Sequence, residues 1–119
     1  MDITFYDSYG RAIAYTDDGK YIYLFSGKPV AYIDGKSIFS YGGSYLGMFE
    51  DGWVTDRQGK CVFFTEMSSG GPLKPVRTVK PVKGVKGIKP TKGIKQLKPV
   101  RAVLSLSWSA HSGISFFEP

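Results

Sequence analysis

The sequence has little of what disulfide-rich proteins, metalloproteins and membrane-spanning proteins depend on. Its 119 residues include one cysteine, Cys61, and one histidine, His111. A single cysteine excludes a disulfide framework and favours a reducing compartment, and this pair of residues excludes a classical structural zinc site. No apolar run approaches the ~18 residues of a membrane span, and no signal peptide is recognisable. We therefore expect a cytoplasmic protein, peripheral at a membrane if it meets one.

Motifs for catalysis are missing as well. Ser109 and Ser112 flank His111, but neighbours in sequence seldom reach the geometry of a triad, and no Gly-x-Ser-x-Gly elbow occurs. No Walker-type glycine loop is present. Carboxylates beside glycine, such as Asp18 and Asp34, are better explained as turn formers than as an acid–base pair. We predict no catalytic residue, no metal, no cofactor and no enzymatic activity.

What the sequence does contain is a unit repeated four times in its first half. The first glycine of the unit recurs at spacings of 17, 16 and 16 residues, as Gly10, Gly27, Gly43 and Gly59. Five residues after each glycine comes a large apolar or aromatic residue: Tyr15, Tyr32, Met48 and Phe64. Three copies close with Asp-Gly, and the fourth does not. A fixed period of this kind indicates one supersecondary unit copied, each copy packing on its neighbours.

Each copy reads as a β-hairpin. The aromatic content is 15%, and Asp-Gly and Gly-Gly pairs supply the positive φ that tight hairpins need. We predict eight strands, over residues 3–6, 11–16, 21–25, 28–33, 37–41, 44–50, 53–56 and 60–65. Short links force sequential antiparallel pairing, and closure removes exposed edges. The predicted fold is all-β: four tandem hairpins closing into a shallow pseudo-four-fold barrel.

The repeated aromatic position is the most function-like feature of this barrel. Under four-fold symmetry Tyr15, Tyr32, Met48 and Phe64 would form one ring. The ring is either a layer of the barrel core or the lining of a small apolar pocket.

The second half of the chain has a different regularity and the opposite charge. Residues 74–101 hold ten of the sixteen Lys and Arg and no acid, whereas the rest of the chain has six cations against ten carboxylates. A cation stands at every third position, and a mostly β-branched residue follows two positions after each. The predicted anion-binding residues within this tract are Lys80, Lys83, Lys86, Lys89, Lys92, Lys95 and Lys98.

A period of three is typical of polyproline II, which would place the cations along one edge and the apolar residues along another. Fully extended, 28 residues would reach about 87 Å, so the tract must project, bend back or run along a second subunit. Its apolar edge could lie on the aromatic surface of the hairpins and leave the lysines in water. The alternative is a solvated, disordered tail.

The chain ends in apolar and aromatic residues that a disordered tail would not need. Residues 104–108 alternate as a half-buried strand does, and Trp108, Phe116 and Phe117 predict that the end docks on the barrel. The expected organisation is a hairpin domain over 1–67, a Ser/Gly linker over 68–73, the basic tract over 74–103 and a docking tail over 104–119.

Taken together, the four Gly-apolar-aromatic-Asp-Gly hairpins, the Pro-containing tract and the Leu-Ser-Trp-Ser segment at 106–109 resemble the four-fold β-flower proteins. These are small bacterial proteins with a shallow symmetric barrel whose hairpins spread like petals. The resemblance covers residues 3–66 well and the tail loosely. It implies a fold and a binding role, and no established activity.

Two functions fit the sequence. The first is a non-enzymatic binding module that uses the lysines to bind an anionic membrane surface or nucleic acid. The alternative is a structural protein that forms a homo-oligomer through the tract or an apolar hairpin face. In either case the lysines have a further, purely structural explanation, as cations that keep an apolar edge soluble or screen the acidic barrel.

Overall fold

The computed structural model describes residues 2–100 and 102–118, and its strands all lie in the repeated half of the chain. They are β1 (Ile3–Tyr6), β2 (Ala12–Thr16), β3 (Tyr21–Leu24), β4 (Pro29–Asp34), β5 (Ser37–Phe39), β6 (Tyr45–Glu50), β7 (Trp53–Asp56) and β8 (Cys61–Phe64). All eight predicted strands are present, with ends moved by two residues at most. The only helical element in the described part of the chain is one 3₁₀ turn, Ile114–Phe117.

The eight strands form a closed antiparallel barrel in sequence order, which confirms the predicted fold class. The first strand of each hairpin carries one irregularity in register, at Phe5/Tyr6, Ile22/Tyr23, Ile38/Phe39 and Val54/Thr55. These bulges follow the same spacing as the glycines, so each copy bends at the same point. The closing pair is the weakest, because β1 and β8 share a single register pair, Tyr6 with Phe64.

Alternation along the strands divides the apolar side chains between two faces of the barrel. One face supplies a central cluster that includes Phe5, Ala14, Ile22, Ile38 and Phe63, all exposed by 1% or less. The opposite face carries the stacked aromatic rings described below. Both faces are covered, which explains why the strands are apolar on both sides.

The C-terminal tail packs against the barrel near β1 and β8, the strand pair that closes the barrel with a single register pair. Phe117 stacks on Phe63 with ring centroids 5.6 Å apart, and Phe116 meets the same ring edge-on. Ser112 Oγ accepts a hydrogen bond from Ser8 N and donates one to Val62 O, both at 2.8 Å, so it joins the ends of β1 and β8. The strand predicted over 104–108 does not form.

That prediction was wrong because the apolar residues of 104–108 do not share a buried face. Leu106 is 74% exposed. The segment instead follows β8 through single backbone bonds and one isolated parallel bridge between Cys61 and Trp108. The Trp108 ring is anchored edge-on to Trp53, with centroids 5.6 Å apart.

The Ser/Gly segment after β8 also lies against the barrel. Trp53 Nε1 donates hydrogen bonds to Ser69 O and Gly70 O at 3.1 and 3.2 Å. A Cβ atom at Gly71 would stand 2.7 Å from the Trp53 ring. Glycine is thus required here for close packing as well as for a turn.

Candidate functional site

Residues 74–103 are called the belt from here on, and their described part runs about three quarters of the way around the barrel over the hairpin tips. Val76 lies at Gly10, Val85 at Gly27, Ile94 at Gly43 and Val103 at Gly59. The body measures 37 × 36 × 24 Å, so one circuit of its rim is roughly 115 Å, and a reach of about 87 Å covers about three quarters of it. Gly71 and Trp108 both lie against Trp53, so the segment from 71 to 108 makes the second circuit: the first circuit builds the barrel and the second encloses it.

The belt keeps a register of nine residues per hairpin. Thr78, Gly87, Gln96 and Ser105 are nine residues apart, and their amides donate to the carbonyls of Gly10, Gly27, Gly43 and Gly59 at 2.7–2.8 Å. A Cβ atom on any of these four glycines would come within 2.2 Å of a belt carbonyl oxygen. The repeated glycine thus serves the belt as well as the turn.

A signal for this register is visible in the sequence, although period-three analysis misses it. Pro81, Pro90 and Pro99 are nine residues apart, and so are Gly84 and Gly93. The two glycine amides donate to Phe25 O and Tyr41 O at 2.6 Å. Three triplets therefore correspond to one 16- or 17-residue hairpin.

The belt faces the barrel with the edge opposite to the expected one. Its apolar residues point to solvent and are 88–96% exposed; this outer edge consists of Val76, Val79, Val82, Val85, Ile88, Ile94, Leu97, Val100 and Val103. The prediction that these residues dock on the hairpins was wrong. The described residues of the belt form no helix or strand, and its polyproline II conformation stays a prediction.

The cations turn inward and lie over the aromatic rings of the barrel. Lys83 Nζ stands 4.3 Å from the Tyr15 ring centroid, and nine residues later Lys92 Nζ stands 4.4 Å from that of Tyr32. Lys86 repeats the arrangement over Tyr23 at 4.9 Å. The electron-rich faces of these rings attract the ammonium groups, and the aliphatic stems cover the rings.

The same cations neutralise carboxylates on the barrel at repeating positions. Arg77 pairs with Glu66 at 2.9 Å, Lys83 with Asp2 at 3.0 Å, Lys86 with Asp17 and Lys95 with Asp34. Asp17, Asp34 and Glu66 each stand two residues after the repeated aromatic position.

Hydrogen bonds within these pairs shift the pKa values of their members. The bond from Lys95 lowers the pKa of Asp34, and the bond to Asp17 raises the pKa of Lys86. The carboxylates interpreted as turn formers therefore also hold the belt.

The predicted ring of four residues is not one ring. Tyr15 stacks with Tyr23 in one cluster, Tyr32 and Met48 belong to a second, and Phe64 belongs to a third. They lie on the face of the barrel opposite to its central core, where the belt covers Tyr15 and Tyr32. The alternation that buries Ala14 and Ala31 in the centre turns the next residue of each strand outward.

The seven predicted anion-binding lysines fall into different environments. Lys83, Lys86 and Lys95 are ion-paired, and Lys80 is 3.8 Å from Glu66. Lys89 and Lys92 are gathered around Tyr21, with Nζ atoms 3.8 and 5.1 Å from its ring centroid. Lys98 lies near enough to Asp34 to contribute to its lowered pKa, after the larger effects of Lys95.

The histidine and its neighbouring serines have structural surroundings. Ser112 bridges β1 and β8, and Ser109 Oγ accepts a hydrogen bond from the backbone N–H of His111. His111 lines an open cleft of about 420 Å³ together with Asp56 and Arg57. The guanidinium of Arg57 is held by Tyr45 O and Gln96 Oε1, at 2.8 and 3.0 Å.

These features define a class: a small pseudo-four-fold antiparallel barrel enclosed by its own C-terminal segment. The chain belongs to the family described as 4-fold beta flower protein, whose family model matches residues 3–117. The match includes the belt and most of the tail, and so extends well beyond the hairpins. Comparison with curated proteins and with solved structures gave no match. No helix in the described residues is long and apolar enough to cross a membrane.

Proposed function

We propose that this protein is a non-enzymatic binding module that attaches to anionic membrane surfaces through the belt. The outer edge enters the boundary between headgroups and acyl chains, and the lysines beside it meet lipid phosphates. The observation that carries the proposal is the exposure of nine aliphatic side chains, each 88–96% accessible, on one continuous segment. Soluble monomers rarely keep that much aliphatic surface in water without a partner.

The apolar edge of the belt lies outside its cationic edge, and this arrangement favours a lipid surface over nucleic acid as the binding partner. An approaching polymer would meet Val85, Ile88 and Ile94 before it met the cations, which lie inward at the barrel. The aromatic rings beneath Lys83 and Lys92 are covered, since Tyr15 and Tyr32 are 1% exposed, and single strands need open rings for stacking. Tyr9 is 74% exposed but belongs to the barrel and not to the belt. A lipid interface takes the opposite arrangement, apolar residues leading and cations at headgroup level.

A flat surface would touch one arc of the belt at a time. Burying an aliphatic side chain fully contributes about 1.5–3 kcal/mol. Two or three side chains from one arc, such as Val85, Ile88 and Ile94, would then contribute several kcal/mol. That is the range of reversible attachment by a single acyl chain.

The test is co-sedimentation of the full chain with vesicles of phosphatidylcholine alone or mixed with phosphatidylglycerol, at low and high salt. We expect binding to the anionic vesicles, weakened by salt because headgroup attraction is screened. The variant Ile88→Ser/Ile94→Ser is expected to bind at least about 100-fold more weakly, since two side chains that contribute about 1.5–3 kcal/mol each no longer enter the interface.

The matched control replaces exposed apolar residues that lie off the belt. Leu106 is 74% exposed and Met67 is 55% exposed, and Leu106→Ser/Met67→Ser should leave vesicle binding within about threefold of the wild type. Failure to bind anionic vesicles at either salt concentration, or equal losses in both double variants, would contradict the proposal.

The outer edge also supports the alternative, self-association. Two copies could cover their aliphatic residues against each other without any lipid. Sedimentation velocity at several protein concentrations tests this. A concentration-dependent oligomer that Ile88→Ser/Ile94→Ser dissolves would support the alternative, whereas a monomer throughout would reject it.

A further inference from the structure

Charge compensation around the belt is incomplete at several lysines. Among the described residues, Lys74 donates to Ser68 O, and the pKa of Asp34 is lowered mainly by Lys95 and only to a small extent by Lys98; the middle of the belt has two such lysines side by side. Arg77, Lys83, Lys86 and Lys95 each pair with a carboxylate of the barrel. Lys89 and Lys92, in the middle of the belt, have no carboxylate within ion-pair distance among residues 2–100 and 102–118. The apolar outer edge is interrupted at the same place, because Thr91 occupies a slot that elsewhere holds Val, Ile or Leu.

The two unpaired lysines converge on Tyr21 together with a third from the barrel. Lys89 Nζ lies 3.8 Å from the Tyr21 ring centroid, Lys92 Nζ 5.1 Å and Lys20 Nζ 5.4 Å. Lys92 Nζ also lies 3.4 Å from the Tyr21 hydroxyl oxygen. This contact, followed by the charges of the lysines, lowers the pKa of Tyr21.

Tyr21 is a departure from the repeat and not part of it. The equivalent positions, at the spacing of the glycines, hold Thr4, Ser37 and Trp53. In a scaffold of copied units, a side chain present in one copy is not explained by the packing that all copies share.

The acids nearest to the lysines are already engaged. The carboxylate of Asp18 accepts the backbone N–H groups of Lys20 and Tyr21, both at 2.9 Å. The carboxylate of Asp34 pairs with Lys95. Neither carboxylate forms an ion pair with Lys20, Lys89 or Lys92 in the described residues; the pKa of Asp34 is lowered mainly by Lys95, and Lys20 makes only a small contribution.

Polar groups next to the cluster also lack partners. The hydroxyls of Tyr32 and Tyr41 are buried and have no hydrogen-bond partner in the described part of the chain. Their rings lie 5.7 Å apart, and that of Tyr32 is beneath Lys92. Buried hydroxyls normally find a partner. Tyr15, at the position of the previous repeat that is equivalent to Tyr32, has the same unpartnered hydroxyl in the described residues, so only the Tyr41 hydroxyl adds hydrogen-bonding capacity that is particular to this cluster.

We propose that Lys20, Lys89, Lys92 and the hydroxyl of Tyr21 form a binding site for a single phosphoryl group. Three ammonium groups suit a phosphomonoester, which carries close to two negative charges and three strong acceptor oxygens. Lysine binds such a group as a compact point charge. The inference rests on the proposed function and deepens it: on a membrane, this site would select lipids with an accessible phosphate.

The experiment uses two sources of the same group. Glycerol 3-phosphate supplies a free phosphomonoester, and vesicles containing phosphatidic acid present one at a surface. Phosphatidylglycerol vesicles of equal surface charge are the comparison. Binding of the free probe is followed by NMR shifts of the backbone amides of Lys20, Tyr21, Lys89 and Lys92, and binding of vesicles by co-sedimentation.

The decisive comparison is between two double variants that remove the same charge. Lys89→Gln/Lys92→Gln removes two of the three cations of the proposed site, whereas Lys83→Gln/Lys86→Gln removes two lysines that are paired with Asp2 and Asp17. We expect the first variant to bind phosphatidic acid vesicles at least tenfold more weakly and the second to lose less than threefold. Melting temperatures of both variants establish that neither loss comes from unfolding.

Each outcome decides between the site and the general function. Selective loss of vesicle binding in Lys89→Gln/Lys92→Gln supports the site. If glycerol 3-phosphate then causes saturable NMR shifts, the site recognises the phosphate itself. If glycerol 3-phosphate causes no shifts, the site recognises the phosphate only as part of a lipid headgroup at a surface. Equal losses in both variants, with vesicle binding retained by the wild type, overturn the site and leave the proposed function standing. If glycerol 3-phosphate binds saturably but no vesicles bind, the phosphoryl site is supported and the proposed membrane function is rejected.

Discussion

Replacing Gly27 by alanine tests whether the belt is held by the close approach of two backbones. The added Cβ atom would lie 1.9 Å from Val85 O, and Gly27 has a φ of 99°. The belt carbonyl must therefore move away. Two backbone hydrogen bonds are attached at this point, from Gly84 N to Phe25 O at 2.6 Å and from Gly87 N to Gly27 O at 2.8 Å.

The expected cost follows from these contacts. A non-glycine residue at positive φ costs about 1–2 kcal/mol, of which the stiffer unfolded chain returns about 0.4–1 kcal/mol. Each lost hydrogen bond adds about 0.5–1.5 kcal/mol. We therefore expect Gly27→Ala to lower the free energy of unfolding by about 3 kcal/mol.

The protein contains a matched control for the backbone term. Gly35 also has a positive φ, 65°, but a Cβ atom there would meet nothing within 4 Å. Gly35→Ala should cost about 1 kcal/mol, so the difference of about 2 kcal/mol measures the seating of the belt. Urea denaturation gives both values, and amide hydrogen exchange shows whether Gly84 and Gly87 lose protection while Gln96, one hairpin further on, keeps it.

The reasoning is refuted if Gly27→Ala costs no more than Gly35→Ala and the Gly87 amide stays protected. That result would mean that the belt can lift from the hairpin tips without loss. The register of nine residues would then be a consequence of sequence repetition and not a source of stability.

Three further predictions concern the Tyr21 cluster, the tail and the ion pairs. Tyr21 should ionise below the usual pKa of tyrosine, seen as the difference in ultraviolet absorbance titration between wild type and Tyr21→Phe, and Lys92→Gln should move that pKa upward; an unchanged titration would contradict the cluster. Phe117→Ala should lower the free energy of unfolding by about 3 kcal/mol in urea, because a buried ring is removed from the barrel core; a cost under ~1 kcal/mol would show that the tail is dispensable. The Asp34–Lys95 pair lowers the pKa of Asp34 and raises that of Lys95, so its contribution is present at neutral pH, is lost as pH falls through the lowered pKa of Asp34, and is lost again as pH rises through the raised pKa of Lys95. The difference in stability between wild type and Asp34→Asn should therefore shrink at both extremes of pH, and a difference independent of pH would rule out this explanation.

Much of the barrel could be predicted because its determinants are local. Turn glycines, Asp-Gly pairs and period-two alternation act over a few residues, and links of two to four residues leave sequential pairing as the simplest topology. The eight strands were accordingly found within two residues of their ends. The strand expected over 104–108 does not form, because a local pattern of alternation does not determine which side of the segment contacts Cys61.

The candidate site was harder to predict from the sequence because it brings together residues that are far apart in the chain. Lys20 and Tyr21 meet Lys89 and Lys92 only when nine belt residues are matched to one hairpin. A period of three defines two edges, one cationic and one apolar, but it does not determine which edge faces inward. The four hairpins, the two edges and the opposite charges of the two halves all follow from local patterns of residues. The inward direction of the cations depends on contacts between distant segments, because stacked rings and a carboxylate at most hairpins stabilise the ammonium groups there. The aliphatic edge is left in solvent as a consequence.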